Sequence, residues 1–277
     1  MRIQLIKELS KSIKMAMMAA LMFFIMGPLY AKSLDKIKPL AEQLNKEYEI
    51  YEIKHNYDLH GDTMIIPKGC ILVFRKGGIL CNGTIKGESV TIKPRKKCLS
   101  NVNIESGIKS NKRVVYSSFY RDWDGKSLAS LCSMCPNNGK VVLDARIDYT
   151  QERTIIPDAP IVIDGKGKTI RTINPTYESF CPTFLDAKDI ASMEIRNLTI
   201  DGGWKNKSLF GGTDPNRWFI ITQNVDNIVI ENCKFLDLKT GFSNWREVED
   251  ALMLFKDFHK AVFINNELIG CKAPEGP

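Results

Sequence analysis

A repeat with a period of about 35 residues, in the range typical of stacked repeat proteins, constrains the fold more than any other feature. Each copy contains an apolar run that ends in Ile, one further residue and then Asn. The three copies are Ile195-Arg196-Asn197, Ile230-Glu231-Asn232 and Ile264-Asn265-Asn266, so the asparagines Asn197, Asn232 and Asn266 recur at a nearly constant spacing. A unit with one short apolar face cannot bury that face alone, so its copies must stack on one another.

Apolar positions on both sides of each asparagine keep the same spacing. An apolar residue follows each Asn by three places, and a second apolar run precedes it across a polar corner, at 183–187, 218–222 and 252–256. Asn tolerates a left-handed φ, and its amide can bond to the backbone or to an Asn in the next copy. We therefore predict that Asn197, Asn232 and Asn266 stack at one corner with their side chains pointing inward. The alternative is three unrelated loop asparagines.

The first half contains a related pattern of short apolar runs between Gly, Asn and Asp. Thr63–Pro67 precedes Ile71–Phe74, and Thr154–Pro157 precedes Ile161–Ile163. Such runs predict short β-strands. Residues 109–140 are less regular, and we expect an inserted loop region there.

Residues 1–31 have the pattern of a secretory signal peptide. A basic start is followed by an apolar run from Met15 to Met26 and by Ala31 as a small cleavage residue. This run is shorter than a membrane-spanning helix needs. We expect a secreted, periplasmic or cell-surface protein that begins near Lys32 and keeps no stable membrane span. The alternative is an uncleaved anchor.

The segment after the signal is predicted to be one helix, within 32–49. Apolar residues recur there at steps of three and four, which predicts an amphipathic helix over Ser33–Tyr48. Ser33 is suited to cap its start.

Charge and cysteine content exclude several classes of protein. The predicted signal contains four of the 39 basic and one of the 32 acidic residues, which leaves a net charge of +4 for the rest of the chain. This mild balance does not indicate a nucleic-acid partner, and it is compatible with an acidic glycan. The eight cysteines match no disulfide framework, and five lie in or beside apolar runs, where Cys is a small buried hydrophobe: Cys70, Cys81, Cys98, Cys233 and Cys271.

Cys132 and Cys135 form a CxxC motif. A zinc site would need a second ligand pair, and a redox motif would need a helix after it, which Pro136-Asn137-Asn138-Gly139 prevents. We expect a small loop disulfide or free thiols at these positions, and no metal site.

Several segments resemble the pectate-lyase-like superfamily of bacterial right-handed parallel β-helix proteins. Asp58–Phe74 and Asn82–Gly87 are similar to the N-terminal coils of such proteins, and Val162–Gly165 and Leu198–Gly202 to motifs of the superfamily. The resemblance covers roughly residues 50–277. It implies an all-β chain folded as a single-stranded right-handed parallel β-helix behind the N-terminal α-helix, with a polysaccharide as partner.

The catalytic motifs of that superfamily do not carry over. Its hydrolases use Asn-x-Asp, paired Asp, Gly-His-Gly and Arg-x-Lys, and its eliminases use Ca²⁺-binding Asp clusters with an Arg or Lys base. Asn224-Val225-Asp226 matches the first motif in spelling only, because it falls at a predicted corner. Catalytic residues and cofactors therefore stay unassigned.

The resemblance also implies where a glycan would bind. In the superfamily it lies along one sheet walled by long loops, here the strands at 183–187, 218–222 and 252–256 and the loops 201–217 and 238–250. Aromatic rings stack on sugars, and Arg binds a uronate carboxylate in a bidentate manner. The predicted substrate-binding residues are Trp204, Arg217, Trp218, Trp245 and Arg246. The alternative is that the tryptophans cover the core and the charges are solvated.

Three functions are compatible with this sequence. The first is an exported lyase or glycoside hydrolase acting on an acidic glycan, for which Asp201, Asp214, Glu249 and Asp250 are candidate carboxylates. The second is a non-catalytic carbohydrate-binding or surface-scaffold protein, and the third is a shortened inactive relative. The regular pattern stops after Ile269, so we expect either further coils or a partner to cover the C-terminal end.

Overall fold

The computed structural model describes residues 31–36, 38–146, 149–151, 153–172, 184–202, 220–238 and 253–271. Contacts divide the chain into Met1–Lys32 and Ser33–Pro277, and all elements discussed below except the first residue of β1 belong to the second unit. Apart from Ala31, the predicted signal peptide lies outside the described residues.

Short strands make up most of the described chain. In the first half they are β1 (Lys32–Ser33), β2 (Ile50–Ile53), β3 (Asn56–Asp58), β4 (Thr63–Ile66), β5 (Ile71–Phe74), β6 (Ile79–Gly87), β7 (Val90–Lys93), β8 (Leu99–Ile104), β9 (Ile108–Ser110), β10 (Val114–Tyr116) and β11 (Tyr120–Asp122). In the second half they are β12 (Gly139–Val142), β13 (Tyr149–Gln151), β14 (Ile161–Thr172), β15 (Leu185–Asp201), β16 (Ile220–Glu231), β17 (Lys234–Leu236), β18 (Met253–Lys256), β19 (Lys260–Ile264) and β20 (Glu267–Ile269). The helical segments are α1 (Leu40–Gln43), a 3₁₀ helix (Ser117–Phe119) and α2 (Ser127–Ser133).

These strands pair in parallel, which confirms an all-β chain with parallel sheets. In the first sheet β2, β5, β7 and β9 are neighbours in that order. A second sheet has the order β11-β8-β6-β3, with β4 also on β6. The third has the order β10-β12-β14-β15-β16-β18, and β13, β17, β19 and β20 extend it.

The register of the pairs defines a repeat. In the first sheet Ile50 pairs with Ile71, and Ile71 with Thr91. In the third sheet Met193 pairs with Ile228, and Ile228 with Ala261, so the sequence separation between equivalent residues is larger there. The separation becomes similar in the two halves once the connections 203–219 and 239–252 are left out. One repeating unit of nearly constant length therefore builds both halves.

Alternating side chains explain why these segments are strands with a shared core. In β4 and β5 every second residue is buried, and Ile66 and Leu72 are almost fully enclosed. Ile, Leu and Val at these positions line one continuous apolar interior. Cys70, Cys81, Cys98 and Cys233 are buried free thiols, as predicted, and Cys271 is half-buried.

Left-handed residues turn the chain at the corners of the third sheet. Asn197, Asn232 and Asn265 have φ of 52°, 53° and 52°. The Asn232 amide donates to Asn197 Oδ1 at 3.3 Å, and the Asn265 amide donates to Asn232 Oδ1 at 3.3 Å. A ladder of side-chain amides therefore links successive repeats. This confirms the predicted stacking of Asn197 and Asn232 at one corner.

Two details of the predicted ladder are wrong. Its third member is Asn265, because the last repeat is shorter than the one before it and Glu231 pairs with Ile264. Asn266 instead bonds to the backbone of the preceding repeat, where its Oδ1 accepts from the Cys233 N–H at 2.9 Å. The Asn232 and Asn265 side chains are exposed rather than inward.

Two other predictions also fail. The helix predicted over Ser33–Tyr48 is only the single turn α1, because Pro39 precedes it and disfavours helical backbone before it. Residues 109–140 are no inserted loop. They form strands and the helix α2, whose residues Leu128 and Leu131 are buried in the core and whose Ser130 Oγ accepts the Ile104 N–H at 2.9 Å.

Candidate functional site

The three strand segments predicted to carry the site lie side by side. Leu185 pairs with Ile220, and Ile220 with Met253, at the starts of β15, β16 and β18. Their inward residues Leu185, Ala187, Ile220 and Thr222 are fully enclosed. The alternate residues therefore form an outward face, called here the β15–β16–β18 face.

The two long connections beside this face start and end at equivalent positions. The Gly202 N–H donates to the Leu236 carbonyl at 2.8 Å, so the chain leaves β15 and β17 at adjacent points. It re-enters at Ile220 and Met253, which are paired. The two long loops therefore leave and re-enter the stack at neighbouring positions, as predicted. Trp204, Arg217, Trp218, Trp245 and Arg246 themselves lie outside the described residues.

A row of long polar side chains crosses the β15–β16–β18 face. Lys188 pairs with Gln223, and Gln223 with Lys256, and all three are exposed. Neighbouring strands of a sheet are about 4.8 Å apart, so the row presents a polar group at each step along the stack. Its two ammonium groups make it suited to bind an extended anionic chain.

A second row on the same face is mostly apolar and contains one carboxylate. Ile156 lies beside Asp186, since Asp186 N–H donates to the Ile155 carbonyl, and Ile221 and Leu254 continue the row. Ile156 is 66% exposed. The apolar side chains offer a surface for the apolar faces of sugar rings.

Asp186 is the chemically unusual member of that row. Its Oδ2 lies 3.3 Å from Lys188 Nζ. Its Oδ1 is buried, and among the described residues it has no hydrogen-bond partner. A buried carboxylate oxygen without a partner is costly, which sets Asp186 apart from the usual pairing of buried polar atoms.

On the next outward face of the third sheet, the charged side chains form a network that spans several strands. Arg196 contacts Glu194 at 2.7 Å and Glu231 at 3.5 Å. Beside it, Asp164 Oδ2 lies 2.7 Å from Lys140 Nζ, and its Oδ1 accepts from the Asn197 amide at 3.1 Å. These charged side chains bond to one another and to the corner residue Asn197, which makes this face a poorer candidate for binding a ligand.

The carboxylates with perturbed pKa values favour their ionised form. Burial opposes the ionisation of Asp164, but the Lys140 ammonium, the Asn197 amide and the Lys166 N–H outweigh it and lower its pKa to about 2. Hydrogen bonds from Lys54 and Arg75 lower the pKa of Glu52, and those from His60 and Asn82 lower the pKa of Asp58. These three groups are unsuited to act as general acids near neutral pH.

The CxxC motif is part of the core. Cys132 and Cys135 are free and buried, which excludes the loop disulfide alternative in this structure. Burial raises the pKa of Cys132 well above its ordinary value and that of Cys135 to about 12. Thiols in this state are poor nucleophiles and poor metal ligands.

The described residues contain neither a cluster of metal ligands nor a helix able to span a membrane. Within them, no three His, Cys, Asp or Glu side chains converge as metal ligands. In the same part of the chain, no helix combines the length and apolarity that crossing a bilayer requires.

Comparisons with family models, curated proteins and solved structures found no match to this chain. The assignment to the β15–β16–β18 face therefore depends on its own geometry. The sequence analysis predicted these strands but did not name Lys188, Gln223, Lys256 or Asp186 as candidate binding residues. Every second side chain of a strand points outward, and this alternation was the signal that could have identified them.

Proposed function

We propose that this protein is an exported right-handed parallel β-helix that binds an acidic polysaccharide along the β15–β16–β18 face. The carrying observation is the exposed row Lys188, Gln223 and Lys256, in register on three adjacent strands. A uronate-rich chain lying along the stack would meet an ammonium at both ends of this row. The right hand is supported by the strong preference for right-handed crossovers between parallel strands.

The long connections add the aromatic part of the proposed site. Trp204, Arg217 and Trp218 belong to the connection from β15 to β16, and Trp245 and Arg246 to that from β17 to β18. Because the roots of these connections are adjacent, we propose that residues of both connections contact the same ligand. Aromatic stacking and bidentate Arg contacts would complement the lysines.

A specific observation also favours catalysis as a second candidate. Asp186 and Lys188 form a carboxylate–amine pair on the proposed binding face, and the buried Oδ1 of Asp186 has no hydrogen-bond partner within the described ranges. Such a pair could transfer a proton during cleavage of the glycan by a lyase or a glycoside hydrolase. Loss of product formation in Asp186→Asn, with glycan binding retained, would support this role. Assays with and without Ca²⁺ would reveal a metal requirement.

Binding to polygalacturonate and other uronate-rich polysaccharides tests the main proposal. Lys188→Ala and Lys256→Ala should each weaken binding by roughly two- to fivefold, since each removes one exposed cation that would contact the ligand. The matched control is Lys234→Ala, because Lys234 lies on β17, away from this face, and is ion-paired like Lys188, with side-chain exposures of 51% and 53%. Equal losses in all three variants would contradict a localised site.

The tryptophans provide an independent check. Trp204→Ala and Trp245→Ala should weaken glycan binding while leaving thermal stability nearly unchanged. A loss of roughly 3–5 kcal/mol in unfolding free energy would instead identify them as parts of the core.

A further inference from the structure

Positive charge is concentrated at one corner of the first-half repeats. The strands β2, β5, β7 and β9 of the first sheet are each followed by a corner, at 54–55, 75–78, 94–98 and 111–113. Each corner contains Lys or Arg, and none of the four contains Asp or Glu. The same kind of charge therefore recurs at equivalent positions of successive repeats.

Only the first part of this charge is neutralised locally. Glu52 lies 2.6 Å from Lys54 Nζ and accepts from Arg75 Nε at 2.8 Å. The other Lys and Arg side chains of these corners are exposed and form no ion pair within the described part of the chain. We call them the basic strip: Lys76, Arg95, Lys96, Lys97, Lys112 and Arg113.

The pairing of the first sheet aligns these corners. The Arg75 N–H donates to the Ile53 carbonyl at 2.9 Å, and the Asn111 N–H donates to the Ile92 carbonyl at 2.9 Å, so successive corners leave the sheet at adjacent points. Neighbouring strands are about 4.8 Å apart, so the basic strip runs along the stack with cations at each step. Because the apolar core lies behind the corners, the basic strip is a convex ridge.

The opposite ends of the same strands carry balanced charges. Lys68 is ion-paired there with Glu88, and Lys86 Nζ lies 3.0 Å from a carboxylate oxygen of Glu105. The unbalanced positive charge is therefore confined to one side of these repeats. The mild net charge of the whole chain conceals this local excess, because it averages over both sides.

We propose that the basic strip binds an anionic lipid surface, so that the protein associates peripherally with a membrane. The corners 75–78, 94–98 and 111–113 contain no Phe, Trp or Tyr, so they lack the rings that stack on sugars or on unpaired bases. Charge alone remains, and Lys and Arg side chains near an anionic membrane are attracted to it. A straight convex ridge meets a flat surface along its whole length, whereas it touches the convex surface of a nucleic-acid duplex at few points.

Cosedimentation of the purified full chain with lipid vesicles tests the proposal. One set of vesicles contains phosphatidylcholine alone, and the other contains phosphatidylcholine and phosphatidylglycerol in equal amounts. The apolar run from Met15 to Met26 is common to all variants, so binding is measured as the ratio of the partition coefficients for anionic and neutral vesicles. We expect the wild type to prefer the anionic vesicles and added salt to reduce this preference, since salt screens exposed charges.

A triple variant tests the basic strip itself. Lys76→Glu, Lys96→Glu and Lys112→Glu together reverse one exposed charge in each of three successive corners. The ratio should fall at least about tenfold, since three cations near the lipid surface are lost. The thermal unfolding of this variant should match that of the wild type, because exposed charges contribute little to stability.

The matched control makes the same change in net charge at the opposite ends of the strands. Lys46→Glu, Lys68→Glu and Lys86→Glu together should lower the ratio far less than the strip variant does. Equal partition of the wild type into both kinds of vesicle would overturn the proposal, and so would equal losses in the two triple variants. Binding of duplex DNA by a wild type that shows no preference for anionic vesicles would also overturn it, because the partner would then be a nucleic acid.

Discussion

The two halves of the chain share one repeat but connect its copies differently. In the first half the third strand of a repeat reaches the first strand of the next through short turns, at 67–70, 88–89 and 105–107. In the second half the same connection is several times longer, at 173–184, 202–219 and 237–252. All three long connections lead into strands of the β15–β16–β18 face. Under the proposed function, the short repeats provide the scaffold and the long connections contribute to binding the ligand.

The scaffold in both halves depends on the same kind of burial. Ile92 in the first half and Ile230 in the second are both fully enclosed in the interior. Loops can lengthen at little cost, because the entropy of closing a loop grows only slowly with its length. The strands should therefore be equally important for stability in both halves, despite their different connections.

The largest expected effect tests this equality. Ile92→Ala and Ile230→Ala should each lower the free energy of unfolding by about 3–4 kcal/mol, since each removes several buried methyl and methylene groups and leaves a cavity. Urea denaturation at neutral pH measures both. A loss below about 1 kcal/mol for Ile230→Ala alone would break the comparison, because it would mean that the second half is not packed like the first.

A smaller effect is expected at Asp164, where the ladder of the second half begins. Its folded pKa of about 2 lies below its ordinary value, so its ionisation contributes stability above about pH 4 that is lost as pH falls toward 2. Asp164→Asn should lower the free energy of unfolding at pH 7 by about 2 kcal/mol. The difference from wild type should shrink when the same urea titration is repeated near pH 3. An equal difference at both pH values would show that charge is not the cause.

Sequence patterns predicted the corners well where each has one suitable residue. Asn197 and Asn232 are single asparagines after an apolar strand, and both were placed correctly. The last corner offers Asn265 and Asn266 together, and there the shorter repeat shifted the register by one residue. Only the pairing of Glu231 with Ile264 resolves the choice, and pairing is a property of the stacked strands.

The failures elsewhere arise from tertiary packing. The apolar stripe around Leu34 and Leu40 suggested a long helix, but it serves to cover the first repeat from an irregular chain with one helical turn. The helix α2 is short and nearly all its residues are buried, so it lacks the polar face that periodicity detects. The candidate site was predicted from its loops, whereas Lys188 and Asp186 emerge only from the register of adjacent strands.

Shortening one long connection tests the central claim most directly. Residues 203–219 would be replaced by a turn as short as those of the first half, and urea denaturation and polygalacturonate binding would be measured on the same preparation. The account predicts cooperative unfolding within about 1 kcal/mol of wild type, since loop closure changes little, together with loss of glycan binding. A variant that no longer folds, or that binds the glycan as wild type does, would contradict the division between scaffold repeats and ligand-binding connections.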